Sequence, residues 1–160
     1  MRKIKTRAPQ QAAFPLPQNQ TSQYARSLIE ASLDPLVTIS AEGNITDVNQ
    51  ATIKVTGISR ESLIGSDFSN YFVETEKARE VYKQVFAEGF VADYPLTIRH
   101  KTGKLTDVLY NASVYKDANG NTLGVFAAAR DVTAQRQAEK LVDEQREIDL
   151  IRSEQLKQAI

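Results

Sequence analysis

The chain has 160 residues, of which 41% are hydrophobic and 25% charged, as expected for one globular domain with appendages. A formal net charge of +0 favours neither nucleic acid nor a membrane surface as partner, and no apolar run is long enough for a membrane span. The absence of cysteine excludes disulfides, thiolate metal sites and cysteine nucleophiles. These features suit a cytoplasmic protein.

The first 22 residues form a basic segment rich in proline and glutamine. This composition cannot build a core, so we expect residues 1–22 to be a disordered N-terminal arm. A solvated tail is favoured over contact with nucleic acid or lipid, because only a few charges support the latter. The basic residues are Arg2, Lys3, Lys5 and Arg7, and the prolines are Pro9, Pro15 and Pro17.

The next segment predicts a short helix and a β-hairpin. Apolar spacing favours a helix from Tyr24 to Ala31, with Ser22 as its N-cap. Two β-rich runs follow, Leu36–Ser40 and Ile45–Val48, joined by a turn that contains glycine.

Residues 49–89 predict three helices. Gly57 divides the first part into two single-turn helices, and Ser59 caps the second of them. A longer helix is predicted from Glu74 to Glu88, because its apolar residues form one stripe, and Gly89 is suited to end it.

Three further runs have the composition of β-strands. They extend from Phe90 to His100, Leu105 to Lys116 and Thr122 to Val132, and short turns with glycine connect them. We therefore predict an α+β domain in which five antiparallel strands form one sheet with helices on one face.

Three stretches in this order resemble the PAS domain, the sensory box of bacterial signal-transduction proteins. They are LDPLVTISAEGNITDVNQATIKVTGISRESLIG, HKTGK and ANGNTLGVFAAARDVT. The resemblance implies a PAS sensory domain over residues 23–133 and a signalling helix over 134–160. It also implies an input module for a histidine kinase, a diguanylate cyclase or a similar output domain.

PAS domains commonly end in Asp-Ile-Thr or Asp-Val-Thr, here Asp131-Val132-Thr133. The resemblance implies that Arg130, Asp131 and Thr133 relay a signal to the following helix. Thr133 is suited to be its N-cap, and Asp131 places negative charge near its positive end, where it could also pair with a base. The alternative is that both residues only start a helix.

Alternation along the last three strands predicts which residues face the helices. Several of them are small, so the inner face leaves room either for a small apolar ligand or for aromatic side chains, and both alternatives stay open. The candidate pocket residues are Leu96, Ile98, Val108, Tyr110, Ala112, Val125, Ala127 and Ala129, with Tyr82 and Phe86 from the long helix. The candidate filling side chains are Tyr71, Phe72, Tyr82 and Phe86.

The cofactors of related light and gas sensors are disfavoured. Flavin photochemistry in such domains needs a reactive cysteine, and this chain has Phe68 near that position. It also needs amide side chains on the inner strands, where this chain has Ile98, Val108 and Ala129. Haem-binding PAS domains usually take an axial histidine from the long helix, whereas the single histidine here, His100, is expected to be exposed at a turn. We predict no metal, and the sequence contains none of the common catalytic motifs.

The last 27 residues predict a helix that has few apolar residues to pack against the core of the domain. Ala134, Leu141 and Ile148 recur every seven residues, Ile151 lies three further on, and Gln155 and Gln158 continue the pattern with polar residues. We call Ala134, Leu141, Ile148 and Ile151 the heptad row. It favours a parallel coiled-coil homodimer over a lone solvated helix, with an output domain following in a longer protein.

Together these features predict a non-catalytic sensory and dimerisation module. In it, a signal from an apolar pocket would pass through the Asp-Val-Thr junction to the terminal helix. The alternative is a ligand-free protein–protein interaction and dimerisation domain.

Overall fold

A computed structural model describes residues 18–159 and places side chains from residue 23 onward. Within this range, no helix is both long enough and apolar enough to cross a membrane. The elements are α1 (Gln18–Ala31), β1 (Leu36–Ser40), β2 (Ile45–Val48), α2 (Gln50–Thr56), α3 (Arg60–Leu63), a 3₁₀ turn (Phe68–Tyr71), α4 (Thr75–Glu88), β3 (Phe90–Arg99), β4 (Leu105–Lys116), β5 (Thr122–Asp131) and α5 (Thr133–Gln158).

The five strands form one antiparallel sheet, which confirms the predicted fold class. Its strand order is β2-β1-β5-β4-β3, so the first strand pairs with the last. Opposite residues in this register include Val37 with Ala127, and Tyr110 with Ala129. The sheet thus joins the beginning and the end of the domain at its centre.

Helix α2 is longer than the single turn that the sequence predicts. The side chain of Asn49 accepts from the amide of Thr52, which starts the helix at Gln50. Gly57, at a φ of +71°, ends it in the left-handed conformation, as predicted. Ser59 caps α3, also as predicted.

Helix α1 begins at Gln18, before the predicted N-cap Ser22. The predicted arm therefore ends earlier than residue 22, because glutamine is a good helix former and extends the helix. The rest of the arm, residues 1–17, lies outside the described residues.

The core lies between the inner face of the sheet and α2, α3, the 3₁₀ turn and α4. Burial alternates along β4 and β5 as predicted, with Val108, Tyr110, Val125 and Ala127 almost fully buried. The strands β1 and β5 approach closely at Gly124, where a Cβ would lie 2.3 Å from the carbonyl oxygen of Ile39. The sheet therefore presents a continuous apolar face to the helices.

Candidate functional site

A small cavity lies between the inner face of the sheet and the helices. Its volume is about 40 Å³, and its lining is almost entirely apolar. We call it the inner cavity. The residues that line it include Val37, Ile45, Thr52, Val55, Thr56, Leu63, Phe68, Tyr71, Phe72, Ile98, Tyr110, Ala127 and Ala129.

Aromatic side chains occupy most of the space beside this cavity. The rings of Phe68 and Tyr82 have centroids 4.9 Å apart, and those of Tyr82 and Phe86 are 5.0 Å apart. Phe72 packs edge-on against Phe68 at 6.3 Å and against Tyr110 at 6.2 Å. The remaining volume is far below the roughly 300 Å³ at which pockets for drug-sized molecules begin.

The predicted pocket residues divide into two groups. Ile98, Tyr110, Ala127 and Ala129 line the inner cavity. The others do not line it, because their side chains are used in packing around it, with Tyr82 and Phe86 stacked on each other. These are Leu96, Val108, Ala112, Val125 and Tyr82, all buried, and the partly buried Phe86.

Tyr110, one of the residues that line the inner cavity, has a buried hydroxyl group without a partner among the described residues. The residue is 2% exposed. Burial raises the pKa of Tyr110 above its ordinary value, so the phenol stays protonated. Other lining hydroxyls have partners, since Thr56 donates to the carbonyl of Thr52 at 2.8 Å and Tyr71 bonds Ser66 at 2.6 Å.

Sequence reasoning missed the contribution of α2 to this cavity. Thr52 and Thr56 are the buried residues of this helix, and they line the cavity together with Val55. Their spacing of four residues is the signal for a shared helical face. The hydroxyl of Thr52 donates to the carbonyl of Leu36 at 3.0 Å, which makes its burial tolerable.

The junction between β5 and α5 is fixed by hydrogen bonds on both of its sides. The carboxylate of Asp131 accepts from the amide of Thr133 at 2.9 Å. The hydroxyl of Thr133 accepts from the amide of Asp107 on β4 at 3.0 Å, and the amide of Val132 donates to the carbonyl of Asp107 at 2.8 Å. This arrangement anchors the start of α5 to the sheet.

Two predictions about this junction are wrong. Thr133 is not the N-cap, because it is the first helical residue and its hydroxyl accepts from β4. The amide of Thr133 donates instead to the carboxylate of Asp131. The expected base for Asp131 is also missing, since it forms no ion pair within residues 23–159. Arg130 is exposed beside it.

Helix α5 has 26 residues and buries none of them. In the heptad row, Leu141 is 66% exposed, Ile148 47% and Ile151 51%. Ala134 is exposed as well. A helix that leaves several large apolar side chains in solvent has a surface suited to a partner.

His100 is partly buried, in contrast to the exposed position expected for it. Its ring lies against Gly57, where a Cβ would be 2.4 Å from Nε2, so only glycine leaves room for it. The Nδ1 atom accepts from the amide of Thr102 at 3.1 Å. This places the ring at the wall between α2 and the β3–β4 turn, away from the inner cavity.

Comparison with known proteins agrees with this architecture. A family model described as PAS domain matches residues 33–134, more than half of the chain. The chain belongs to the PAS domain family. The inner cavity therefore lies in a PAS domain whose last strand continues into α5.

Solved PAS structures share the fold. A PAS domain from Colwellia psychrerythraea is 22% identical, with a TM-score of 0.64 over 72% of this chain and 98% of that one. A PAS domain from a two-component sensor histidine kinase is 16% identical, with a TM-score of 0.62 over 72% and 99%. An RNA-binding light-oxygen-voltage receptor is 13% identical, with a TM-score of 0.70 over 89% of this chain but 41% of that one.

Proposed function

We propose that the chain is the sensory and dimerisation module of a cytoplasmic signalling protein, such as a sensor histidine kinase. In this proposal α5 pairs with its copy and leads to an output domain, and the chain itself is not catalytic. The observation that carries the proposal is the direct passage from a central strand into a long helix with no buried face. Similarity to a PAS domain from a sensor histidine kinase supports the same class of protein.

The energetics of α5 favour a partner. A helix of 26 residues extends about 39 Å. Isolated helices in water are marginally stable, so most helices in proteins depend on packing of an apolar face. The heptad row supplies such a face at the spacing of a coiled coil. We therefore infer that two chains associate through it.

Sedimentation equilibrium of the chain and two variants tests this association. We expect the unmodified chain to be a dimer and Ile148→Asp to be a monomer, because the substitution places a charge inside the proposed interface. Leu150→Asp is the matched control, since Leu150 is 67% exposed but lies outside the heptad row. Equal dimerisation of both variants, or a monomeric unmodified chain, would contradict the proposal.

The relay is proposed to depend on the hydrogen bonds of Asp131 and Thr133. Asp131→Ala removes an acceptor for a free helical amide, at a cost of about 1 kcal/mol. Thr133→Val keeps the shape and leaves the amide of Asp107 without its partner. We expect both to speed hydrogen exchange in the first turn of α5. Unchanged exchange there would remove the junction from the relay.

The inner cavity limits what could act as a signal. Its volume of about 40 Å³ admits only a few heavy atoms without rearrangement, and we propose that neither flavin nor haem binds there. A very small ligand with a hydrogen-bond acceptor fits best, because Tyr110 lines the cavity and its hydroxyl has no partner within the described part of the chain.

A ligand-free interaction and dimerisation domain is the second candidate, and the filled aromatic core favours it. Native mass spectrometry of the purified chain separates the two. An added mass of a co-purified ligand on the unmodified chain that is absent from the Tyr110→Phe variant supports small-ligand sensing. A protein mass without addition, together with a stable dimer, supports the second candidate.

A further inference from the structure

We propose that a second cleft, open to solvent, binds a small organic carboxylate with an apolar body. The cleft has a volume of about 340 Å³ and lies between α2, the β3–β4 turn and the end of β5. We call it the basic cleft, after Lys54 on α2 and Lys104 at the turn, which both line it. The proposal is independent of a ligand in the inner cavity and of dimerisation.

The size and lining of the basic cleft suit such a molecule. Its volume lies at the lower end of the range for small-molecule sites, about 300–1,000 Å³. Leu33, Pro35 and Val55 give it an apolar floor and rim. Leu33 is 95% exposed, so an apolar body in the cleft would cover a side chain that is otherwise in water.

The charges that line the basic cleft favour an anion. Neither Lys54 nor Lys104 forms an ion pair within the described part of the chain. The cleft also contains the negatively charged Asp131, so its two lysines leave an excess of one positive charge in the lining. His100 is the remaining titratable group in the lining, and its Nδ1 is engaged by Thr102. The two lysines are therefore the free charged donors for a carboxylate.

The walls of the basic cleft are fixed to one another. The amide of Lys101 donates to the carbonyl of Thr56 at 2.9 Å, which ties the β3–β4 turn to the end of α2. On the other side, Thr133 accepts from the amide of Asp107, which ties the start of α5 to β4. The cleft is thus preformed, and a ligand would not have to order it.

The basic cleft lies next to both the inner cavity and the junction between β5 and α5. Pro35 and Val55 line the basic cleft and the inner cavity, so they form a shared wall between the two. Asp131 lines the cleft and holds the first turn of α5. A carboxylate in the cleft would therefore lie against the junction and change the electrostatic field at the start of α5.

Titrations of the full chain with benzoate and hexanoate, followed by ¹H–¹⁵N NMR spectra, test the proposal. We expect saturable shifts that cluster at the cleft, with a Kd on the order of 1 mM for ligands of this size. Benzamide keeps the ring without the charge, and we expect it to bind at least about tenfold more weakly, since charge-assisted hydrogen bonds are the stronger ones.

Two sets of variants assign the binding to the lysines. We expect the double variant Lys54→Gln, Lys104→Gln to weaken benzoate binding at least about tenfold, because it removes at least one charge-assisted hydrogen bond to the carboxylate. Lys83→Gln is the matched control, because Lys83 is an exposed lysine on α4 that does not line the cleft. We expect it to leave the Kd unchanged.

Several outcomes would overturn the proposal. One is the absence of saturable shifts with both carboxylates, and another is a set of shifts that maps outside the cleft. Equal binding of benzoate by the double variant would remove the role of the lysines. Shifts at the cleft with a glutamate-rich peptide, but not with either carboxylate, would make it a peptide-docking groove instead.

Discussion

Two buried tyrosines in the core differ in whether their hydroxyl groups have partners. The hydroxyl of Tyr82 donates to the carbonyl of Ser40, while that of Tyr110 has no partner among the described residues. An unsatisfied buried hydroxyl costs free energy because it loses water without gaining a bond. The two residues therefore contribute differently to stability although both are buried.

Removing the hydroxyl group should lower the free energy of unfolding at Tyr82 but not at Tyr110. We expect Tyr110→Phe to raise the free energy of unfolding or leave it unchanged, and Tyr82→Phe to lower it by about 1 kcal/mol, the value of a typical hydrogen bond. Urea denaturation of both variants measures the difference. Strong destabilisation by Tyr110→Phe would mean that the hydroxyl has a bound partner in solution, as small-ligand sensing requires.

Asn49 connects three elements through its side chain, which is fully buried. Its amide oxygen accepts from the amides of Leu36 at 2.9 Å and Thr52 at 3.1 Å. Its amide nitrogen donates to the carbonyls of Ile29 at 3.0 Å and Asp34 at 2.9 Å. One side chain thus satisfies the backbone at the end of α1, the start of β1 and the start of α2.

Loss of this side chain should be costly. We expect Asn49→Ala to lower the free energy of unfolding by about 3 kcal/mol, because several buried backbone groups lose their partners at once. Gln50→Ala, at the exposed neighbouring position, should change it by no more than about 0.5 kcal/mol. Chemical denaturation of both variants gives the comparison, and similar midpoints would show that water replaces the lost bonds.

At the scale of elements, α1 is held to the domain by ion pairs as well as by the partly buried Ile29. Glu30 pairs with Arg60 of α3 at 2.8 Å, and Arg26 pairs with Asp47 of β2 at 2.5 Å. Its apolar side chains Tyr24 and Leu28 are instead 63% and 57% exposed. The docking of α1 should therefore depend on charge more than that of the other helices.

Hydrogen exchange measures the docking of α1 directly. We expect Arg60→Ala to raise exchange of the α1 amides about fivefold, and added salt to do the same, because partly exposed ion pairs contribute about 1 kcal/mol or less. Arg79→Ala is the control, since its pairs with Asp67 and Glu76 lie away from α1. If exchange in α1 is equal in both variants and insensitive to salt, packing holds the helix.

The strands and the longer helices were predictable because their patterns are local. The alternation in β4 gives its bounds, Leu105 and Lys116, and the glycines at positions 57 and 89 mark where α2 and α4 end. The bonding of Thr133 was not predictable, because its hydroxyl turns to Asp107 on another strand. Local capping rules consider only the helix that the residue begins.

The inner cavity shows a second limit of sequence reasoning. Alternation identified the buried face of the sheet, but it could not tell how far the aromatic side chains of α4 and the 3₁₀ turn would fill the space above it. That depends on rotamers and on the close approach of Phe68, Phe72 and Tyr82. The basic cleft was missed for a related reason, since Lys54 and Lys104 come together only through the fold.

At the scale of the whole molecule, the stability of the domain should respond to alkaline pH. Burial raises the pKa of Tyr82 to about 12, and it raises that of Tyr110 as well, whereas an unfolded tyrosine titrates near 10. Above about pH 10 the unfolded chain loses these protons while the folded chain keeps them. The contribution is therefore fully present below about pH 10 and is lost as the pH rises through the folded values.

Urea midpoints recorded between about pH 9 and pH 12 test this linkage. We expect the midpoint of the unmodified chain to fall across this range, and the fall to be smaller in a Tyr82→Phe, Tyr110→Phe double variant, since neither position can then ionise. Tyr24→Phe, at an exposed side chain of α1, controls for the removal of a phenol. An identical fall in the double variant would assign the alkaline sensitivity to other groups, such as the lysines.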